Sequence, residues 1–370
     1  MMTTNIVSIP EFCLVLLVGP SGAGKSTFGK KHFLPTEVIS SDYCRGLVSD
    51  DENDQTCTAD AFELLRYIVE KRLKSRRLTV VDATNVKSED RAGLIRLGKK
   101  YHALSVAFIF DLDVDICIER NKSRPDRQFG SHVVRNHVKA LKRGLKRIKK
   151  EGIRYRFRMK SPEEIDAIEI DRQKLWTDKR EEAGPFDIIG DIHGCATELE
   201  QLLEKLGYTV NVDDDKNYSV IPPDGRRVIY VGDLVDRGPR TPDVLRIVKH
   251  MVEAGTAFCV AGNHENKLVR ALNGRNVQVN HGLAESLEQL EAETPEFKEE
   301  MRVFMDALIS HYVMDQGNLV VAHAGITEDM QGRSSGAVRS FCLYGETTGE
   351  TDEFGLPIRY DWAREYRGQA

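Results

Sequence analysis

The strongest constraint on the fold of this chain is the segment GPSGAGKST, which directly follows the apolar run FCLVLLV. A short, uncharged apolar run is typical of a strand buried on both faces of a parallel sheet. The spacing G-x-x-x-x-G-K-[ST] lets backbone N–H groups turn inward around phosphate oxygens, and the residues after it are compatible with a helix. The sequence therefore predicts a strand, a phosphate-binding loop and a helix near the N-terminus.

The residues of this loop predict how a nucleotide is held. Lys25 supplies a positive charge to the β and γ phosphates, and the Ser26 hydroxyl is a ligand for Mg²⁺. We assign nucleotide contacts to the loop residues Gly19, Ser21, Gly22, Ala23, Gly24, Lys25, Ser26 and Thr27. The motif thus predicts ATP with Mg²⁺ as the cofactor, but it does not identify the group that accepts the phosphate.

Three more apolar runs follow, EVISSD, LTVVDATN and SVAFIFDL, with helical patterns between them. Strands that alternate with helices indicate a parallel α/β sheet with helices on both faces. A basic amphipathic stretch comes next, HVVRNHVKALKRGLKRIKKEG, and it predicts a helix that ends near Gly152. Its cations could follow a nucleic-acid backbone or simply face solvent.

Two acidic residues end predicted strands at the edge that carries the phosphate-binding loop. Asp42, in ISSDYCR, stands where a general base for a hydroxyl acceptor is needed, and Arg45 could clamp a phosphate. The alternative is that Asp42 caps a helix. Asp82, in VVDATN, could orient Mg²⁺ through water or serve only a local turn.

Arginines cluster after the fourth predicted strand, in ERNKSRPDRQFG. Arg120, Arg124 and Arg127 could form a lid that neutralises charge on a transferring phosphoryl group. The alternative is an ordinary solvated loop.

Four blocks in the second half, GDIHG, GDLVDRG, GNHE and VVAHAG, each follow an apolar run. They carry Asp191, His193, Asp233, Asp236, Arg237, Asn263, His264 and His323. Carboxylate, amide and imidazole groups delivered at neighbouring strand ends can hold two divalent cations, with one aspartate bridging them. An arginine could orient a phosphate ester, and a histidine that is not a metal ligand could protonate the leaving oxygen. The blocks predict a phosphoesterase.

Length and charge indicate two domains of opposite character. Residues 1–170 carry 31 Lys and Arg against 23 Asp and Glu, whereas residues 171–370 carry 22 against 35. We predict a kinase domain over 1–165, a charged linker over 166–185 and a phosphatase domain over 186–370. A basic domain is a reasonable place for a polyanion.

The cysteines and the N-terminus predict a cytoplasmic protein without a membrane segment. The seven cysteines are scattered without a CxxC pair, which favours a reducing compartment over a disulfide framework or a zinc site. The first apolar run is too short to span a bilayer and leads directly into the glycine loop.

The blocks GDIHG, GDLVDRG and GNHE resemble the phosphoprotein-phosphatase-like branch of the binuclear metallophosphoesterases. Their combination with an upstream phosphate-binding loop, SSDYCR and ERNKSRPDRQFG closely resembles the bacterial polynucleotide kinase–phosphatases of RNA repair. The resemblance implies a P-loop kinase sheet followed by an α/β metallophosphoesterase sandwich. It also implies phosphorylation of 5′-OH ends and removal of 3′-phosphate or 2′,3′-cyclic phosphate.

For the kinase, the resemblance implies that Lys25 and Ser26 bind phosphate and Mg²⁺. It makes Asp42 the base that activates the 5′-OH and Arg45 the contact to the reacting phosphate. The lid arginines would be Arg120 and Arg124.

For the phosphatase, the resemblance implies two metal sites, for which we expect manganese. The first would be held by Asp191, His193 and Asp233, and the second by Asp233, Asn263 and His323. Arg237 would contact the phosphate, and His264 would be the acid held by Asp236.

One departure from this family concerns the second metal. The family supplies a further histidine from a later GHT block, but no histidine follows His323 here. We expect a chain truncated in its phosphatase domain, with a competent kinase and an impaired phosphatase. The resemblance further implies RNA or DNA ends as substrates, and a ligase domain or partner with an RNA methyltransferase.

Two other interpretations remain open. The chain could join a small-molecule kinase to a dinucleoside-polyphosphate hydrolase or a serine/threonine-type phosphatase. It could also be a non-enzymatic scaffold that binds nucleotide and RNA.

Overall fold

The computed structural model of the chain describes residues 5–123, 129–353, 357–361, 364 and 366–367. The chain divides between Leu175 and Trp176 into two compact units. This boundary lies within the segment predicted as the linker.

Unit 1 is built from seven strands and seven α-helices within its described residues. They are β1 (Asn5–Pro10), β2 (Cys13–Val18), α1 (Lys25–His32), β3 (Val38–Ser40), α2 (Ser41–Ser49), α3 (Thr58–Lys74), β4 (Thr79–Asp82), α4 (Ser88–Lys100), β5 (Leu104–Phe110), α5 (Val114–Lys122), α6 (Ser131–Leu145), β6 (Tyr155–Met159), α7 (Pro162–Asp166) and β7 (Ile168–Gln173).

The main sheet of unit 1 is parallel and has the order β3-β4-β2-β5-β6. Its side chains alternate between two buried clusters, so Leu17 of β2 faces one and Leu16 faces the other. Phe28 of α1 packs in the first cluster, and Leu65 of α3 packs in the second. Helices therefore cover both faces, which confirms the predicted fold class.

The four predicted strands are present as β2 to β5, whereas the pairing of β1 with β7 is not predicted from the pattern. β1 mixes apolar with polar residues, and β7 alternates isoleucines with charged residues inside the charged segment 166–185. Arg172 of β7 donates two hydrogen bonds of 2.8 Å to the Glu37 carboxylate, which binds β7 to its own unit.

The amphipathic helix α6 ends at Leu145 rather than near Gly152. The buried Arg91 binds Glu151 at 2.6 and 2.7 Å, so the chain turns back toward α4 before Gly152.

Unit 2 continues the numbering within its described residues. Its elements are β8 (Asp178–Lys179), β9 (Phe186–Ile189), α8 (Ala196–Lys205), β10 (Thr209–Val212), β11 (Tyr218–Ile221), β12 (Arg227–Tyr230), α9 (Thr241–Glu253), β13 (Ala257–Cys259), α10 (Asn263–Leu272), α11 (Leu283–Glu291), α12 (Pro295–Ala307), β14 (His311–Met314), β15 (Leu319–Ala322), α13 (Gly336–Tyr344), β16 (Thr347–Thr351) and β17 (Pro357–Arg359).

Two three-stranded sheets form the centre of unit 2. One is parallel with the order β13-β12-β9, and the other has the order β15-β14-β8. Val228 and Tyr230 of β12 pack against the helices, whereas Ile229 packs with Tyr312 and Val321 of the second sheet. This arrangement is the predicted α/β sandwich, and it brings the carboxyl ends of β9, β12 and β13 to one edge.

No helix among the described residues combines the length and the apolar character needed to cross a bilayer.

Candidate active sites

The phosphate-binding loop of unit 1 connects β2 to α1 and depends on glycine conformations. Gly22 and Gly24 have φ values of 81° and 92°, which residues with a Cβ rarely adopt. A Cβ at Gly22 would also overlap the carbonyl oxygen of Cys117. Lys25 then begins α1. The structure thus provides the strand, loop and helix that the motif predicts.

The Lys25 side chain lies inside this loop. Its Nζ donates hydrogen bonds to the carbonyl oxygens of Gly19 at 3.0 Å and Pro20 at 2.8 Å, and the residue is buried. A positive charge held at this point is available to phosphate oxygens in the loop. Ser26 and Thr27, the next two residues, are exposed.

A cavity of about 780 Å³ opens in front of the loop. Its lining includes the loop residues Ser21, Gly22, Ala23, Gly24, Lys25, Ser26 and Thr27. It also includes Asp42, Arg45, Asp82 and Arg120. The β3–β4–β2 order places the ends of these three strands side by side, because Ser40 and Leu17 both pair with Asp82. The structure therefore brings the predicted acceptor-side residues and the loop into one cleft.

Asp42 is the second residue of α2 and faces this cleft with Arg45. Arg45 Nη1 donates to Asp42 Oδ1 at 2.7 Å, and the guanidinium is buried. The N-cap of α2 is Ser40, whose hydroxyl accepts from the backbone N–H of Asp42 and Tyr43. Asp42 therefore does not cap the helix with its side chain, and its carboxylate is oriented by Arg45 instead.

The predicted lid is described only in part. Arg120 near the end of α5 is exposed and lines the cavity. Arg124 and Arg127 lie outside the described residues.

In unit 2, four strand or helix ends deliver polar side chains to one place. Asp191 follows β9, Asp233 follows β12, Asn263 begins α10 and His323 directly follows β15. His193 Nε2 lies 3.8 Å from the carboxylates of both Asp191 and Asp233. The predicted metal-ligating residues are therefore gathered at one edge of the sandwich.

Backbone carbonyls determine which nitrogen of two histidines carries the proton. His193 Nδ1 lies 2.9 Å from the Val235 carbonyl oxygen, and His323 Nδ1 lies 2.9 Å from that of Val231. A carbonyl oxygen can only accept, so each Nδ1 carries a proton, and Nε2 is the nitrogen that offers a lone pair in the neutral imidazole. Both imidazoles thus present a ligand nitrogen toward Asp233.

The donor set fits divalent cations. His193 Nε2 is buried and has no hydrogen-bond partner among the described residues. His323 Nε2 faces two further acceptors, Asn263 Oδ1 at 3.0 Å and Asp233 Oδ1 at 3.4 Å. Oxygen and nitrogen lone pairs that point at one another repel unless a positive charge lies between them. A divalent cation bound among these groups would supply that charge.

Within the described part of the chain, two three-residue groups have ligand atoms close enough to share an ion, and both contain Asp233. One group is Asp191, Asp233 and His323, and the other is His193, Asp233 and His264. Asp233 therefore occupies the position expected of a bridging carboxylate. The second group includes His264, which the sequence-based interpretation treats as an acid rather than a ligand.

His264 forms a buried pair with Asp236. His264 Nδ1 donates to Asp236 Oδ2 at 2.6 Å, and the Asp236 side chain is fully buried. Burial by itself would lower the pKa of His264, but the hydrogen bond that His264 donates to Asp236 and the nearby Asp233 carboxylate outweigh it and raise the pKa. The pair favours a protonated imidazole beside the candidate metal ligands.

Backbone strain is concentrated at this site. His193, Asp233, Asp236 and Arg237 all have positive φ values, between 48° and 74°. Non-glycine residues adopt this conformation at a free-energy cost, and such residues cluster at functional sites. Arg237 itself is exposed and close enough to His264 for its charge to lower the histidine pKa.

Glu265 is a functional residue that the sequence reasoning missed. Its buried carboxylate accepts hydrogen bonds from the backbone N–H groups of Asp233, Leu234 and Gly262 at 2.7–2.9 Å, and of Val235 at 3.3 Å. Burial and then the Asp233 charge raise the pKa of Glu265 to about 7, although these N–H groups oppose the shift. The signal was present in the block GNHE, since a glutamate three residues after a helix N-cap commonly binds backbone N–H groups.

Gly282 and Ser286 support the same site from α11 and were also missed. Gly282 has a φ of 91°, and a Cβ there would overlap the backbone nitrogen of Arg237. The Ser286 hydroxyl accepts from the backbone N–H of Asp236 at 2.8 Å. No local pattern marks either residue, because both contacts span about 45–50 positions of sequence.

Family models match both units. An AAA-domain model matches residues 14–148, and a calcineurin-like phosphoesterase model matches residues 184–366. The first match agrees with a kinase-like domain that contains the phosphate-binding loop.

The chain is similar to proteins named bis(5′-nucleosyl)-tetraphosphatase PrpE [asymmetrical]. The protein from Halalkalibacterium halodurans is 46% identical over 187 residues, which are 50% of this chain and 74% of that protein. The protein from Geobacillus thermodenitrificans is 47% identical over 189 residues, which are 50% of this chain and 75% of that protein.

A solved structure of the Pnkp1/Rnl/Hen1 RNA repair complex aligns over 83% of this chain and 97% of that chain, at 14% identity and a TM-score of 0.34. That score is too low to support an argument about function.

The similarity to the tetraphosphatases, together with the match over residues 184–366, shows that the chain belongs to the calcineurin-like phosphoesterase family.

Proposed function

We propose that this chain is a bifunctional RNA end-healing enzyme, which phosphorylates 5′-OH ends with ATP and removes 3′-phosphate or 2′,3′-cyclic phosphate ends. The observation that carries the proposal is that one polypeptide holds a nucleotide cleft with an acidic residue and a separate metal-compatible phosphoester site. An RNA strand broken to 5′-OH and 3′-phosphate ends needs one phosphate added and another removed. A single substrate then explains both sites.

In unit 1 the proposed transfer uses the cleft residues as follows. Lys25 and Ser26 hold the phosphates and Mg²⁺ of ATP. Asp42, oriented by its 2.7 Å contact to Arg45, accepts the proton of the attacking 5′-OH. Arg45 and Arg120 then neutralise charge on the phosphoryl group, and we assign the same role to Arg124.

In unit 2 the residues that would hold two divalent cations are Asp191, His193, Asp233, Asn263 and His323. When bound, such cations lower the pKa of water and neutralise the charge of a phosphate ester. Arg237 orients the ester. His264, held by Asp236, donates a proton to the leaving oxygen, which its raised pKa favours.

The test is an RNA oligonucleotide with a 5′-OH and a 3′-phosphate, incubated with labelled ATP and either Mn²⁺ or Mg²⁺. We expect label at the 5′ end and loss of phosphate from the 3′ end. Lys25→Ala should abolish only the labelling, and Asp233→Asn should abolish only the phosphate release. Labelling of a nucleoside or sugar in preference to RNA would contradict the kinase assignment.

A second function for unit 2 is asymmetrical cleavage of a bis(5′-nucleosyl) tetraphosphate. It is favoured by the 46% and 47% identity to proteins that carry this name. Measuring kcat/KM for diadenosine tetraphosphate and for the 3′-phosphorylated RNA on the same preparation separates the two. A preference of 100-fold or more for the dinucleotide would replace RNA ends as the phosphoesterase substrate.

A further inference from the structure

Unit 2 contains a second groove, of about 410 Å³, that opens from the candidate phosphoester site. Asn263 and His264 line one end of it. Lys267 and Arg270 of α10 line its side, and Tyr344 and loop residues between 276 and 281 complete the wall. The roles assigned above involve only Asn263 and His264 at that end, and the rest of the groove has no assigned role.

The charge of the groove contrasts with that of its surroundings. Among the described residues, two fixed cations and no carboxylate line it, although residues 171–370 carry 22 Lys and Arg against 35 Asp and Glu. A cationic groove in an acidic domain attracts anionic ligands and raises their local concentration.

Neither cation forms an ion pair with a residue that the structure describes. The Arg270 side chain is exposed and has no hydrogen-bond or ion-pair partner among the described residues. Lys267 Nζ donates to the Asn280 backbone oxygen at 3.0 Å and to the Asn280 side-chain oxygen. An ammonium has three N–H donors, so Lys267 keeps one for a ligand. Both cations are therefore available to bind an anion.

The two cations lie progressively further from His264 along α10. His264, Lys267 and Arg270 recur every three residues along α10. At 1.5 Å per residue, the two cations lie about 4.5 and 9 Å further along the helix axis than His264. A ligand whose phosphate ester reaches His264 would place its next anionic group beside these cations.

We propose that this groove binds a second phosphate on the nucleoside that carries the scissile phosphate. The proposal rests on the phosphoesterase function of unit 2 and defines its substrate class as nucleotides with at least two phosphates. Lys267 and Arg270 bind the second phosphate through charge-assisted hydrogen bonds. The side-chain amides of Asn276 and Gln278, which also line the groove, add neutral donors. A nucleotide chain end then binds better than an isolated monoester.

Cytidine 3′-monophosphate and cytidine 3′,5′-bisphosphate test this directly, because they differ by a single 5′-phosphate. We would measure binding of both by calorimetry without added metal, and kcat/KM for both with Mn²⁺. The full chain carries Lys25→Ala throughout, which removes nucleotide binding by unit 1. The variants are Lys267→Ala, Arg270→Ala, Arg270→Gln and the double alanine variant.

The expected result is a preference of about tenfold or more for the bisphosphate, which each single variant reduces and the double variant removes. Lys205→Ala is the matched control, because it removes the same charge from an exposed position at the end of α8. It should keep the full preference.

Two results would overturn the proposal, namely equal affinity of the parent chain for both nucleotides or a preference that persists in the double variant. If the proposed phosphoesterase function itself is wrong, the result is distinguishable, because neither nucleotide would be hydrolysed with Mn²⁺ or Mg²⁺. In that case the metal-free binding data still decide whether the groove recognises a second phosphate.

Discussion

At the residue scale, both sites depend on side chains that are oriented by a second group. Arg45 orients Asp42, Asp236 orients His264, and a backbone carbonyl orients His193. A group held in one rotamer and one protonation state loses less entropy when it reacts. Substitutions such as Asp→Asn and Glu→Gln, which keep the shape of the side chain and replace one oxygen by nitrogen, therefore test these roles most directly.

Asp42→Asn should lower the rate of phosphoryl transfer by about 10²–10⁴-fold, the usual contribution of a general base. The asparagine oxygen can still accept from Arg45, so ATP binding should be unchanged. Turnover of a 5′-OH oligonucleotide and ATP affinity are measured on the same protein, with the exposed Asp60→Asn as control. Undiminished turnover would support the interpretation of unit 1 as a scaffold.

Glu265→Gln should destabilise unit 2 by about 2 kcal/mol or more, because one buried carboxylate oxygen becomes an NH₂ group that faces N–H donors. Phosphoesterase activity should fall with it, since the displaced loop carries Asp233. Denaturant unfolding measures the first effect, and Glu198→Gln on the exposed surface of α8 is the control. Equal stability of both variants would show that Glu265 does not hold the loop.

At the scale of elements, helices and strands bring loops into contact that no local pattern connects. The start of α11 packs against Arg237 through Gly282, and β14 binds the turn at Gly332 through His311. Because the interior is closely packed, we expect an added methyl group or proton at these contacts to disturb the structure around them.

Gly282→Ala should lower phosphoesterase activity more than Gly274→Ala. Both glycines have positive φ, so both variants bear a strain of roughly 1–2 kcal/mol. Only at Gly282 does the added methyl group overlap the Arg237 backbone, since nothing lies within 4 Å of a Cβ at Gly274. Comparing kcat/KM of the two variants isolates the displacement of Arg237, and equal losses would attribute the effect to strain alone.

His311 should make unit 2 less stable in acid. Burial lowers the pKa of His311 from 6.5 to about 4, and its Nε2 accepts the Gly332 N–H at 3.0 Å. The neutral form is favoured in the folded state, so this stabilisation is complete above about pH 6.5 and is lost as the pH falls toward 4. The loss amounts to about 3 kcal/mol. Unfolding measured from pH 7.5 to 4.5 should show a smaller slope for His311→Gln than for the native chain, and identical slopes would contradict the assignment.

At the scale of the whole molecule, each unit has its own buried core. Domains with separate cores commonly unfold as separate cooperative units. A ligand that binds one unit should therefore stabilise that unit alone.

Calorimetry should show two transitions that respond to different ligands. Mg²⁺ with ATP at 100 times its Kd should raise one transition by about 5–10 °C, and Mn²⁺ should raise the other. Lys25→Ala should remove only the first response and Asp233→Asn only the second. A single transition that both ligands move would show that the units do not unfold independently.

The sequence by itself determined the features that local patterns encode. These are the buried strands of the parallel sheet, the glycine loop with Lys25, and the identity of the polar residues at the ends of β9, β12 and β15. Each follows from hydrophobic periodicity or from a turn that requires glycine. Such signals depend on neighbours only a few positions away.

The tertiary structure alone decided how those residues are held. It assigned the helix cap to Ser40 rather than Asp42 and paired β7 with β1 inside the segment predicted as a linker. It also placed Glu265 under four backbone N–H groups and opened the cationic groove along α10. The contacts of Glu265 with Asp233 and of β7 with β1 join residues far apart in sequence, and they use backbone atoms that every residue carries. For that physical reason, a local signal such as the glutamate of GNHE can indicate that a backbone contact forms, but it cannot identify the distant backbone that is bound.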